Sequence, residues 1–75
     1  MDFDQVLDAT GLNCPLPLLR AKKTLAGMSA GQVVQVLTTD PGSVRDFEAF
    51  AKQTGNELVD STEEDGKFLF VLRKG

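Results

Sequence analysis

FDQVLDATGLNCPLPLLRAKKTLAG, residues 3–27, decides the fold, because it holds a strand, a breaker and a helix with no slack between them. Phe3 to Ala9 reads as a strand with Val6 and Leu7 at its apolar centre, and Gly11 lets the chain turn out of it. Pro15 to about Ala26 reads as a helix. Leu18, Ala21, Leu25 and Met28 follow the three-to-four spacing of a single buried face. Gly27 and Gly31 flank the exit, where helix C-termini favour glycine.

Further along, Gln32 to Thr39 is rich in β-branched residues (Val33, Val34, Val36) and reads as a second strand. Asp40-Pro41-Gly42-Ser43 turns into a second helix, with either Asp40 as its cap and Pro41 at the first position, or Ser43 as cap with Asp46 three residues on. Val44, Phe47, Phe50 and Ala51 form its apolar face, and Gly55 stops it. Glu57 to about Thr62 and Lys67 to Arg73 are two strands joined through Asp65-Gly66, a strong hairpin signal. The order β-α-β-α-β-β gives an α/β (α+β) two-layer sandwich of one domain, residues 1–75: a four-stranded mixed sheet with both helices on one face. The other sheet face carries Val33, Leu37, Leu69 and Val71, to be covered by a partner or shielded by long side chains.

Eight Lys and Arg against eleven Asp and Glu give a net charge of −3. An acidic chain without Trp or Tyr is poorly suited to phosphate backbones or base stacking, so no direct nucleic-acid binding is expected. A single cysteine and no histidine exclude an internal disulfide and a zinc site. The acidic run Glu63–Asp65 lies beside Gly66 and lacks calcium-loop spacing, so it reads as a solvated hairpin tip. No metal and no cofactor are implied. The acidic start Met1-Asp2-Phe3-Asp4-Gln5 shows no targeting signal, and no apolar run is long enough to span a membrane. The expectation is a cytoplasmic monomer with a reduced thiol.

The chemistry sits in Gly11-Leu12-Asn13-Cys14-Pro15-Leu16-Pro17. Pro15 biases Cys14 away from helical dihedrals, as a helix cap requires, and Pro15 and Pro17 fall in a first turn whose N–H groups are unpaired anyway. With Cys14 as cap, Leu16 offers the nearest free N–H and the helix dipole lowers the thiol pKa. Arg20, Lys22 and Lys23 add attraction if they point back. Without histidine, a Cys-His hydrolase is excluded. A nucleophilic sulfur alone leaves thiol exchange, peroxide reduction, or accepting and donating a sulfur atom. The bland alternative is a lone cysteine that serves as a small buried hydrophobe.

Cys14-Pro15-Leu16-Pro17 resembles the Cys-Pro-x-Pro mark of the TusA/SirA-like family of small sulfur carriers. The lead-in Leu7-Asp8-Ala9-Thr10-Gly11-Leu12, the helix segment Lys22-Lys23-Thr24-Leu25, Gly31, Thr39-Asp40-Pro41, Val44-Arg45-Asp46 and the ending Leu72-Arg73-Lys74-Gly75 are similar too. The resemblance implies the same two-layer fold, Cys14 as acceptor of sulfane sulfur, held as a persulfide, and Pro15 and Pro17 as shapers of the helix start; Gly11, Asn13 and Leu16 are read as shaping the site beside them. It implies a sulfur-donor protein (a cysteine desulfurase or rhodanese) and an acceptor relay protein. The path served in family members is tRNA thiolation, sulfur oxidation, or molybdenum-cofactor or selenium metabolism. Leu12, Leu16, Arg20, Lys23, Asp40 and Arg45 are the expected docking rim around the sulfur. Two rival readings are a regulatory or interaction module in which Cys14 only shapes the helix start, and a thiol redox sensor.

Overall fold

Alternation along each strand sorts side chains to two faces, and the strand pairing in the computed structural model, which describes residues 3–75, shows which face is buried. The elements are β1 (Gln5–Ala9), α1 (Leu16–Ala26), β2 (Val33–Thr38), α2 (Gly42–Gln53), β3 (Glu57–Glu64) and β4 (Lys67–Arg73). They form a four-stranded sheet in the order β1-β2-β4-β3. β1 runs parallel to β2, and β4 lies antiparallel to both β2 and β3. Val34, Val36 and Thr38 of β2 pair with Leu72, Phe70 and Phe68 of β4. These six residues are buried, and with Ala21 and Leu25 of α1 and Phe47 and Phe50 of α2 they make the core. Both helices therefore cover one sheet face, as the periodicity predicts.

The Phe47 and Phe70 rings stack at 4.6 Å between centroids, joining α2 to the sheet centre. Each such ring is worth about 1.5–3 kcal/mol by burial alone, with a further ~0.5–1.5 kcal/mol from an offset aromatic pair. Beside them, the Thr38 and Ser43 hydroxyls share a buried hydrogen bond of 2.7 Å. The Ser43 hydroxyl also donates to the Asp40 carbonyl at 2.6 Å. Ser43 therefore lies inside the first turn of α2. The cap position of α2 is Pro41, with no side-chain cap bond, so neither sequence alternative holds as stated: Asp40 lies one residue further back, its Oδ1 accepting the Gly42 N–H at 3.2 Å.

At the hairpin, Asp65 and Gly66 both have positive φ, 52° and 79°, the mirror-image turn that matches strand twist. The tight turn lets β3 run on to Glu64, two residues past the expected end. A register shift between Leu58 and Asp60 leaves Val59 as an extra residue in β3. At the other boundary, Phe3 and Asp4 precede β1. Asp4 still donates its N–H to the Val33 carbonyl and accepts the Val33 N–H through Oδ2, both at 2.8 Å. On the open face Leu37 pairs with Leu69, and Val71 lies between Gln35 and Asp60. Val71 is buried there, while Val33, Leu37 and Leu69 are half-buried. Among the described residues, no helix is long and apolar enough to cross a membrane.

Candidate functional site

The site exists because β1 and β2 are parallel neighbours. Ala9 lies opposite Thr38, so both strands finish at the same sheet edge and the loops that follow them run side by side. The carboxyl ends of parallel strands are where open α/β sheets place their chemistry. In the first loop, the Asp8 carboxylate accepts the Thr10 N–H at 3.0 Å and its hydroxyl at 2.7 Å. These bonds hold the Asp8 carboxyl below its ordinary pKa. Gly11 follows at φ 79°, a left-handed conformation that side chains rarely adopt, and donates its N–H to the Thr39 hydroxyl at 2.8 Å. Asn13 accepts the Leu16 N–H on its carbonyl at 2.8 Å.

Cys14 is exposed and closes the link between the loops. Its N–H donates to Asp40 Oδ2 at 2.6 Å, so one carboxylate holds both the Gly42 N–H at the start of α2 and the cysteine backbone. Its thiol donates to Asp46 Oδ2 on the first turns of α2. A Cβ on Gly42 would sit 3.7 Å from the Cys14 Cβ, which shows how closely the start of α2 approaches the cysteine. The Cys14–Pro15 peptide bond is cis.

This arrangement corrects two expectations. Cys14 does not cap α1: the helix begins at Leu16 with Pro15 in the cap position, and the Leu16 N–H, the donor expected for the sulfur, goes to the Asn13 carbonyl. The thiol pKa is raised, not lowered. The hydrogen bond to Asp46 is the first cause, followed by desolvation and by the negative charges of Asp46 and Asp40. Two carboxylates within reach outweigh a helix dipole that is worth at most ~2 kcal/mol and fades within one turn.

The other expected residues divide between the site and its surroundings. Gly11, Asn13, Pro15 and Asp40 build it. Pro17 shapes it from within, since its side chain is fully buried. Leu12 is half-buried against the core, more anchor than docking surface. Leu16 is 46% exposed, and Leu19, one turn on, is 50% exposed. Leu19 was missed by sequence reasoning, because an apolar residue outside the buried stripe carries no periodic signal. Arg20 and Lys23 are exposed on α1, while the Lys22 ammonium lies over the Phe50 ring, 5.8 Å from its centroid. Arg45 lines a shallow groove along α2 with Pro41, Val44, Glu48 and Lys52. Asp46 is the other omission. Its partnership with Cys14 spans 32 positions and becomes visible only when the two loops are set side by side.

Residues 5–74 match the family described as sulfurtransferase TusA. The chain belongs to the TusA family. It is 73% identical over 73 residues to the sulfur carrier protein TusA of Allochromatium vinosum, covering 97% of this chain and 96% of that one. It is 56% identical over 69 residues to a putative sulfur carrier protein of Neisseria meningitidis serogroup A, covering 92% and 93%. The crystal structure of a SirA-like protein from Desulfitobacterium hafniense superimposes with a TM-score of 0.83 at 34% identity, covering 95% of this chain and 97% of that one. Membership of the family and the β-α-β-α-β-β fold are thus established for nearly the whole chain.

Proposed function

We propose that this protein carries sulfur between proteins as a persulfide on Cys14. The observation that carries the reading is an exposed single thiol, held by its backbone on a two-loop platform, in a chain of the TusA family. In loading, the Cys14 sulfur attacks the terminal sulfur of a donor protein's persulfide. A sulfur–sulfur bond forms at Cys14, the donor's sulfur–sulfur bond breaks, and the donor leaves as a thiolate. The thiol proton passes to the leaving thiolate or to water. Unloading repeats the exchange towards an acceptor thiolate, and across each exchange there is no net oxidation.

A donor of the cysteine desulfurase or rhodanese type and an acceptor relay protein are the partners. The acceptor sets the end product, a thiolated tRNA uridine or another sulfur-bearing compound. The exposed pair Leu16 and Leu19, with Arg20 nearby on the same helix, offers a small mixed surface suited to brief docking. A peroxide sensor is disfavoured, since the chain's single cysteine leaves an oxidised Cys14 no resolving thiol of its own.

Intact-protein mass measurement after incubation with a cysteine desulfurase and cysteine tests the reading. Wild-type protein gains one sulfur atom and Cys14→Ser gains none. Wild-type protein left without added sulfur by every desulfurase and rhodanese donor would end the proposal.

A further inference from the structure

We infer that Asp46 is a positioning residue that ties down the unloaded thiol and lets the loaded persulfide go. The inference rests on the persulfide reading above and adds a role for a residue outside the Cys-Pro-x-Pro segment. Its basis is geometric. The Cys14 thiol donates to Asp46 Oδ2 on α2, while Asp40 Oδ2 accepts the N–H of the same residue from the neighbouring loop. These two carboxylates are the charged groups that bear on the sulfur. One holds the side chain and the other holds the backbone.

The two sulfur states present different chemistry to that pair. The unloaded sulfur has a proton to give and a carboxylate to receive it, so it rests as a thiol lying on α2. Once loaded, the inner sulfur is bonded to carbon and to sulfur and has no proton, so its bond to Asp46 is lost. The ionisable group is now the terminal sulfur, one atom further out. A persulfide is more acidic than a thiol, and as an anion it is repelled by Asp46 and Asp40 at close range. The terminal sulfur therefore turns outward, where an acceptor can reach it. The same carboxylate that restrains the empty carrier presents the full one.

The experiment compares alkylation by iodoacetamide of the unloaded and loaded protein across pH, in wild type, Asp46→Asn and Asp46→Glu, with loading by inorganic polysulfide. In wild type, the loaded form reacts much faster than the unloaded form at neutral pH. Asp46→Asn removes the charge but keeps the shape. It should speed alkylation of the unloaded thiol severalfold at neutral pH and move that profile to lower pH, while the loaded form, losing part of the repulsion that presents it, reacts no faster than in wild type, so the contrast narrows. Asp46→Glu should restore much of the contrast. Asparagine profiles that match wild type, or equal acceleration of both forms as expected from simple loosening of the loop, would overturn the inference. A chain that accepts no sulfur in any form fails the carrier reading instead, while the unloaded profiles still report on Asp46.

Discussion

At Cys14, a carboxylate and a thiol compete for one proton, and the pH dependence of stability follows from that contact. The thiol's folded pKa is raised, so the contact contributes stability below the unfolded cysteine pKa and loses it as pH rises through the folded value. Chemical denaturation should therefore show wild type losing stability only as pH rises above the unfolded cysteine pKa, with Cys14→Ala giving a flatter alkaline limb. Asp8 has the opposite sign. Its lowered pKa comes from the Thr10 bonds, so its contribution is present above the unfolded carboxyl pKa and is lost as pH falls through the folded one. Thr10→Val should flatten the acid side of the same profile. Gly11 sits at φ 79° with free space around it, so Gly11→Ala costs backbone strain alone, about 1–2 kcal/mol, measurable as a lower unfolding midpoint with the thiol still reactive.

Helices and strands supply the frame, and their identities were legible because each has a clean period. The Leu18–Met28 stripe, the β-branched run at residues 33–36 and the alternation of Phe68, Phe70 and Leu72 each point to one element type, and the Asp65-Gly66 turn fixes the hairpin. Less legible were the joints. Neither Asp40 nor Ser43 takes the cap position of α2, which falls to Pro41, while the buried Thr38 hydroxyl claims Ser43. That Cys14 answers to α2 rather than α1 depends on the parallel pairing of β1 and β2. Local sequence carries propensity, whereas these choices are made by groups 5 to 32 residues away. The same pairing makes the joint sensitive to small changes. Ser43→Ala strands the Thr38 hydroxyl in the core and should cost about 1–3 kcal/mol, and Ser43→Ala with Thr38→Val should recover part of it. Phe47→Ala, which empties the stack on Phe70, should cost about 3–5 kcal/mol, a large share of the roughly 4–11 kcal/mol expected for a domain of this size. Thermal unfolding of the three variants ranks these effects.

Over the whole molecule, charge is uneven in a way that suits transient contact. The net charge is −3, yet α1 carries Arg20, Lys22 and Lys23 on the chain segment that follows the sulfur. Arg20→Glu and Lys23→Glu should slow sulfur transfer more at low salt than at high salt, while the alkylation profile of Cys14 stays at wild type. Transfer that is indifferent to both charge reversals would place docking elsewhere. The strand order also decides how the molecule can be joined to others. β1 begins at Gln5 opposite Val34, and β4 ends at Arg73 opposite Val33, whereas Cys14 lies beyond Ala9 and Thr38 at the other edge of the sheet. Peptide attached at either end therefore leaves from the side away from the sulfur. The fold is a plug with its contact at one end and both wires at the other: it can be tethered, tagged or spliced into a longer chain by either terminus while its working tip stays clear.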